Sequence, residues 1–231
     1  MIRFDILTLH PALCEGPADH SILGRAREAG LIELNIRDLR TWAPGRHRQS
    51  DDTPYGGGSG MVLKVDVIDH ALQALRGPDT RVILMEASGQ PFDQATAVRL
   101  AGCAHLLLVC GHYEGVDERV REHLVDETIS VGPYVLTGGE LPAMVVVDAV
   151  ARLHPGVLGN AESVVEESFS DGTLEYPQYT RPRIWRDWAV PEILLSGDHG
   201  RIRAWRMERA LERTRAVRKP HPSSDPDASG S

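Results

Sequence analysis

Two glycine-rich segments and a small set of charged residues hold most of the chemical potential of this sequence. One reads Cys110-Gly111-His112-Tyr113-Glu114-Gly115; the other spans 130–140 and contains Gly132, Pro133, Gly138 and Gly139. Each follows an apolar, strand-like run. Glycine lets backbone amides and carbonyls come close to a ligand because no Cβ intervenes. Two such turns at the ends of neighbouring strands describe one small-molecule site built mainly from main chain. Further on, Glu166, Glu167 and Asp171 surround Ser168-Phe169, and Arg152 closes the preceding helical run. Linker carboxylates are more often simply solvated, and an arginine can merely complement a helix C-terminus. Spacing alone leaves both readings open.

Other motifs exclude more than they assign. Gly56-Gly57-Gly58-Ser59-Gly60 lacks the G-x-x-x-x-G-K-[ST] spacing of a phosphate loop, and Lys64 is misplaced for one. It opens no helix directly after a strand, so the dinucleotide fingerprint fails too. The ten histidines form no H-x-x-x-H pair and have no cysteines at zinc spacing, so a structural metal is not expected. A G-x-S-x-G nucleophile turn is missing.

The elements that must position these residues follow from periodicity. Apolar alternation predicts strands over 2–9 and 31–36, and short apolar runs predict strands over 81–85, 105–110 and 128–131. Helical patterns occupy 21–29, 66–75, 93–101, 116–124 and 141–153. Strands alternating with helices predict an α/β fold with a largely parallel sheet. The polar stretch 37–60 is long enough to be a functional loop. Residues 155–180 break the pattern as a linker, and a small α-helical domain follows. On a wheel over 201–215, Arg206, Arg209 and Arg213 share one face, with Ala204, Met207 and Leu211 opposite. That pattern predicts a packed helix carrying a basic stripe. The expected divisions are 1–160, the linker 161–180, the helical domain 181–219 and a disordered tail 220–231.

Composition narrows the class. An apolar fraction of 42% supports a proper core. Three cysteines, Cys14, Cys103 and Cys110, form no C-x-x-C pair, which argues for a reducing compartment. No apolar run reaches a membrane-spanning length, and the N-terminus lacks a signal-peptide core. A cytoplasmic protein is expected. The net charge of −8 is unevenly spread, with an acidic body and a basic segment over 181–219. That asymmetry suits local contact with a polyanion.

Together these residues resemble a known family. Gly111-His112-Tyr113-Glu114-Gly115-Val116-Asp117-Glu118-Arg119 and Tyr134-Val135-Leu136-Thr137-Gly138-Gly139-Glu140-Leu141-Pro142-Ala143 are similar to segments of the bacterial tRNA (guanine-N1)-methyltransferases, the TrmD family. Asp51-Asp52 with Pro54-Tyr55-Gly56-Gly57-Gly58 fits as well. So do Pro155-Gly156-Val157-Leu158-Gly159, Tyr179-Thr180-Arg181-Pro182 and Leu195-Ser196-Gly197. The resemblance covers 1–219 in order.

The resemblance implies a SPOUT-class α/β domain with a trefoil knot, a feature that topology rules alone would exclude. It implies S-adenosylmethionine held by the knot loops and a homodimer with sites at the subunit interface. The implied substrate is tRNA, methylated at N1 of the guanosine immediately 3′ of the anticodon. The donor pocket would comprise Leu84, Glu86, Gly111, Tyr113, Glu114, Val131, Gly132, Pro133, Tyr134, Val135, Leu136, Gly138 and Gly139. Arg152 takes the place of the catalytic arginine. Glu167 stands where an aspartate base is common, with Asp171 as an alternative base. Pro133 also departs from the pattern, replacing a frequent aspartate and removing a backbone donor. Arg181, Arg183, Arg206, Arg209 and Arg213 would grip tRNA phosphates, and the 37–60 loop would contact the target base or its neighbour. Mg²⁺ dependence is implied without an evident ligand set. A SPOUT enzyme acting on ribosomal RNA, or a non-catalytic RNA-binding module, are the alternatives.

Overall fold

Ile2, Phe4 and Ile6 point to one side of their strand and Leu7 and Leu9 to the other, and both sets are buried. A strand buried on both faces belongs in the middle of a layered α/β structure. The computed structural model of the chain describes residues 1–159 and 173–217. Two compact units divide the chain, Met1–Ala161 and Glu162–Ser231. Glu166, Glu167, Asp171 and the tail 220–231 fall outside the described residues.

In the first unit, β1 (Ile2–Thr8), β2 (Ile32–Asp38), β5 (Thr80–Pro91), β6 (His105–Cys110) and β7 (Glu127–Ser130) form one sheet. Its order is β2-β1-β6-β5-β7, and every neighbouring pair is parallel. The largely parallel sheet expected from the sequence is present. All six residues of β6 are buried. One apolar layer packs this sheet against α1 (Ala12–Asp19), α2 (Ser21–Glu28), α4 (Gln94–Ala101) and α6 (Glu140–Ala151). The other layer is filled by α3 (Val65–Leu75) and α5 (Glu118–His123).

Several boundaries differ from the sequence reading, each for a local reason. The helix α1 went unread because Gly16 and Pro17 lie within its eight residues, and both disfavour a helix interior. Strand β5 continues past Met85 through an irregularity that resumes pairing at Gln90. Helix α5 starts at Glu118 rather than 116. Val116 forms a bridge with Leu63, and Asp117 caps the helix by accepting from the Arg119 N–H at 3.0 Å. The 37–60 loop contains a 3₁₀ turn, Leu39–Trp42, and a two-residue strand β3 (Asp51–Asp52) paired with β4 (Val62–Leu63).

The second unit holds a short hairpin, β8 (Ile184–Trp185) with β9 (Trp188–Ala189), a 3₁₀ turn Glu192–Leu195 and the helix α7 (His199–Val217). The expected orientation of α7 is reversed. Met207 is 69% exposed and Leu211 and Ala204 are exposed, whereas Arg206 and Arg209 are half-buried. Arg206 packs its apolar stem on the unit's own chain, Arg209 is half-buried beside glutamates of its own helix, and Arg213 remains exposed. Arg206 lies 4.6 Å over the Tyr176 ring, the Arg213 Nη1 donates to the Glu175 carbonyl at 3.2 Å, and the Leu174 N–H donates to Thr214 Oγ1 at 2.8 Å.

Candidate functional site

Parallel sheets present ligand sites beyond the carboxyl ends of their strands. A cavity of about 290 Å³ sits there, at the ends of β5, β6 and β7. It is lined by Leu84, Glu86, Gly111, Tyr113, Glu114, Val131, Gly132, Tyr134, Val135, Leu136, Gly138 and Gly139. Every residue expected in the donor pocket is therefore at the cavity, with the exception of Pro133. Met85, Ser88, His112, Ile129, Thr137 and Pro142 also line it. Sequence reasoning named none of these as pocket residues, although Met85, His112 and Thr137 each adjoin one that it named.

Short-range pairing between the two loops explains why glycine is needed. The Gly139 N–H donates to the Gly111 carbonyl at 2.8 Å, and His112 pairs with Gly138 in an antiparallel bridge. A Cβ on Gly139 would lie 2.7 Å from Cys110 Cα and 2.9 Å from Gly111 N. The loops approach too closely for any side chain at that point. Tyr113 adopts a φ of 59°, a left-handed conformation costing about 1–3 kcal/mol for a bulky residue. Such strain concentrates where loops are shaped around ligands.

The cavity's chemistry is mixed. Leu84, Ile129, Val131, Val135, Leu136 and Pro142 supply apolar wall for a flat ring, while loop amides and carbonyls supply polar groups. Glu86 Oε2 is buried without a hydrogen-bond partner, so an acceptor waits there for a ligand hydroxyl or amine. No thiol nucleophile competes. Burial, reinforced by the charge of Glu140, pushes the Cys14 thiol up to about 11 and Cys110 well above its ordinary value.

Arg152 lies elsewhere. It caps the C-terminus of α6, half-buried, its N–H donating to the Asp148 carbonyl at 3.2 Å. Helix α6 leaves the cavity at Gly139 and runs twelve residues, about 18 Å, to that point. The chain just beyond is at the opposite edge of the sheet. A Cβ on Gly156 would touch Leu31, next to the start of β2, at 3.5 Å. Burial and the Met1 ammonium together hold His154 below its ordinary value. Within one chain, Arg152 and the cavity are at opposite ends of the strands.

In the second unit, Arg181, Arg183 and Arg206 line a separate cavity of about 480 Å³ with Tyr176 and Tyr179. Arg183 pairs with Glu192 at 2.6 Å, and Arg209 with Glu208 and Glu212 at 3.1 and 2.6 Å. Arg213 is exposed and held to the Glu175 carbonyl. The expected basic stripe is thus partly neutralised by its own helix. Among the described residues, no group of three or more His, Cys, Asp or Glu side chains could hold a metal ion. No helix among them is long and apolar enough to cross a membrane.

Comparison with known proteins places this architecture. The family described as tRNA (Guanine-1)-methyltransferase TrmD matches residues 2–221. A tRNA (guanine-N(1)-)-methyltransferase of Chloroflexus aggregans is 57% identical over 220 residues, covering 94% of this chain and 86% of the relative. Proteins of the same name from Syntrophomonas wolfei and Brevibacillus brevis are 55% and 53% identical, over 92% and 94% of this chain and 87% and 90% of their own lengths. With the match running almost from end to end and the glycine-rich loops meeting at one cavity, this chain belongs to the TrmD family of tRNA (guanine-1)-methyltransferases.

Proposed function

We propose that this chain transfers a methyl group from S-adenosylmethionine to N1 of the guanosine immediately 3′ of the anticodon in tRNA. The observation that carries the reading is the cavity itself, formed by the two glycine-rich loops in a chain that matches the family over 2–221. Its apolar walls suit adenine and its loop amides suit the ring nitrogens. The unpartnered Glu86 oxygen suits a ribose hydroxyl or the donor's ammonium. The SPOUT trefoil knot and a cytoplasmic location belong to the same reading.

When bound, the sulfonium donor supplies an electrophilic methyl group. The chain's own residues have to make the guanine nucleophilic, because N1 carries a proton. We assign removal of that proton to the carboxylate of Glu167, with Asp171 as the alternative base. As the proton leaves, negative charge spreads to O6, where the Arg152 guanidinium stabilises it. Arg181, Arg183, Arg206, Arg209 and Arg213 contribute a phosphate-binding surface, and residues 37–60 contact the target base or its neighbour. The implied Mg²⁺ finds no ligand cluster among the described residues, and no step is assigned to it.

Homodimerisation completes the proposal. If Arg152 acts on a base facing the cavity, it must come from a second copy, because its own cavity is at the far end of α6. The surface for that contact is at hand. Leu141 is 56% and Val145 48% exposed, one turn apart on α6, and the cavity loop adds exposed Tyr134, Val135 and Leu136. Exposed apolar side chains of this number are consistent with an association surface.

The test is methyl transfer from labelled donor to two transcripts of one tRNA, bearing guanosine or adenosine after the anticodon. Label in the guanosine transcript alone supports the reading. Label in both, or in neither, overturns it.

A further inference from the structure

Beneath the two cavity loops lies a buried carboxylate to which the proposed reaction gives no role. Glu140 is the first residue of α6 and is 1% exposed. Its Oε1 accepts from the Thr8 hydroxyl at 2.6 Å, joining residues 132 apart in sequence. Thr8 Oγ1 accepts in turn from the His10 N–H at 2.8 Å. The second carboxylate oxygen lies 4.0 Å from His112 Nδ1, which is buried and has no hydrogen-bond partner. Between them passes the backbone of Gly138. A Cβ there would overlap Glu140 Oε2 and lie 2.7 Å from His112 Nδ1. The His112 ring also stacks near His10, with centroids 4.5 Å apart, and meets Tyr113 edge-on at 4.7 Å.

The start of a twelve-residue helix makes a carboxylate tolerable here, since its amides and dipole favour negative charge. It does not explain why the side chain reaches back to β1. An apolar residue could fill the space without desolvating a charge. What the carboxylate adds is connection. One side chain ties the end of β1 by hydrogen bond to the start of α6, and packs against Gly138 and His112 of the two cavity loops.

We infer that Glu140, through its hydrogen bond with Thr8, is a positioning residue that holds the two loops in their ligand-ready arrangement before the donor arrives. Preorganisation of this kind improves affinity by removing the cost of ordering at the binding step. Loss of the strut therefore weakens donor binding and leaves the transfer step intact once the donor is bound. The inference rests on the donor reading of the cavity.

The experiment compares wild type, Glu140→Ala, Thr8→Val, Glu140→Gln and Thr8→Ser as full chains. It measures S-adenosylhomocysteine binding by calorimetry, donor KM, kcat at saturating donor, and thermal unfolding. Glu140→Ala and Thr8→Val should raise donor Kd and KM about tenfold with kcat within about twofold of wild type. Glu140→Gln keeps the acceptor and Thr8→Ser keeps the hydroxyl, so both should bind within about threefold of wild type. Should Glu140→Ala fail to fold, Thr8→Val decides alone, because it exchanges only a hydroxyl for a methyl. Wild-type donor affinity in Thr8→Val overturns the inference. So does a fall in kcat that tracks lost folded protein at unchanged KM. Wild type that does not bind S-adenosylhomocysteine removes the donor reading itself, and this inference with it.

Discussion

The proposed division of the site between two subunits predicts that two inactive variants restore each other. Gly139→Ala disables the cavity. Its Cβ would meet Cys110 Cα at 2.7 Å and Gly111 N at 2.9 Å, and backbone atoms cannot rotate aside. Overpacking of this sort costs about 1–3 kcal/mol. Breaking the 2.8 Å Gly139–Gly111 hydrogen bond costs about 1 kcal/mol more. Donor affinity should fall at least about tenfold, at 1.4 kcal/mol per decade. Arg152→Ala instead removes the guanidinium at the far end of α6, about 18 Å from that loop. When the two are unfolded and refolded together in equal amounts, about half of the dimers are mixed. In a mixed dimer with shared sites, one site inherits both defects and the other inherits neither. Methyl transfer should then recover to about one quarter of wild type at a donor concentration too low for Gly139→Ala, while Arg152→Ala alone stays inactive for want of its guanidinium. Recovery is read as labelled methyl in tRNA. If each subunit carried its own complete site, every site in every dimer would keep one defect. Activity no greater than the mean of the separate variants would refute the shared-site argument.

Other consequences are more local. Glu167→Gln should abolish turnover while leaving S-adenosylhomocysteine affinity unchanged in calorimetry; undiminished turnover would move the base to Asp171. Asp5 is fully buried, bonded to Arg3 and Arg37 at 2.7 Å and to His105 Nε2 at 2.9 Å. Asp5→Ala should therefore lower unfolding free energy by about 2–3 kcal/mol in urea titration, and a loss under about 0.5 kcal/mol would contradict this account of the network. Burial outweighs the pull of Asp5 and holds His105 below its ordinary value of 6.5. The unfolded chain then takes up a proton that the folded chain refuses. The stability contributed by His105 is complete above about pH 6.5 and falls as pH drops through 6.5 towards the lower folded value. Imidazole titration by NMR should give a midpoint under 6.5, and one at or above it would reverse the sign.

The strands were legible because a parallel sheet covered on both faces needs short, continuously apolar runs, and 105–110 is such a run. The cavity loops were legible as well from their glycines, of which Gly139 is demanded by close backbone contact and Gly138 by the side chains of Glu140 and His112. Glu140 was not, since its partner Thr8 is 132 residues away and nothing local marks the pair. The wheel over 201–215 placed the arginines correctly on one face and then assigned that face to solvent. A helix in a small unit can equally bury arginine stems against tyrosine, as Arg206 does on Tyr176. The hairpin of β8 and β9 went unread because two-residue strands carry no period. The family resemblance, rather than any pattern, directed attention to Arg152, and only the direction of α6 separates that residue from its own cavity.

The central claim concerns one atom of one nucleotide. Unmodified tRNA bearing guanosine after the anticodon should be incubated with the protein and S-adenosylmethionine. Site-specific nuclease digestion, followed by chromatography and mass measurement of the released nucleoside, then reads the product. The expected product is N1-methylguanosine at the position immediately 3′ of the anticodon and at no other. Methylation on another guanine atom, at another tRNA position, or only in ribosomal RNA would contradict the account.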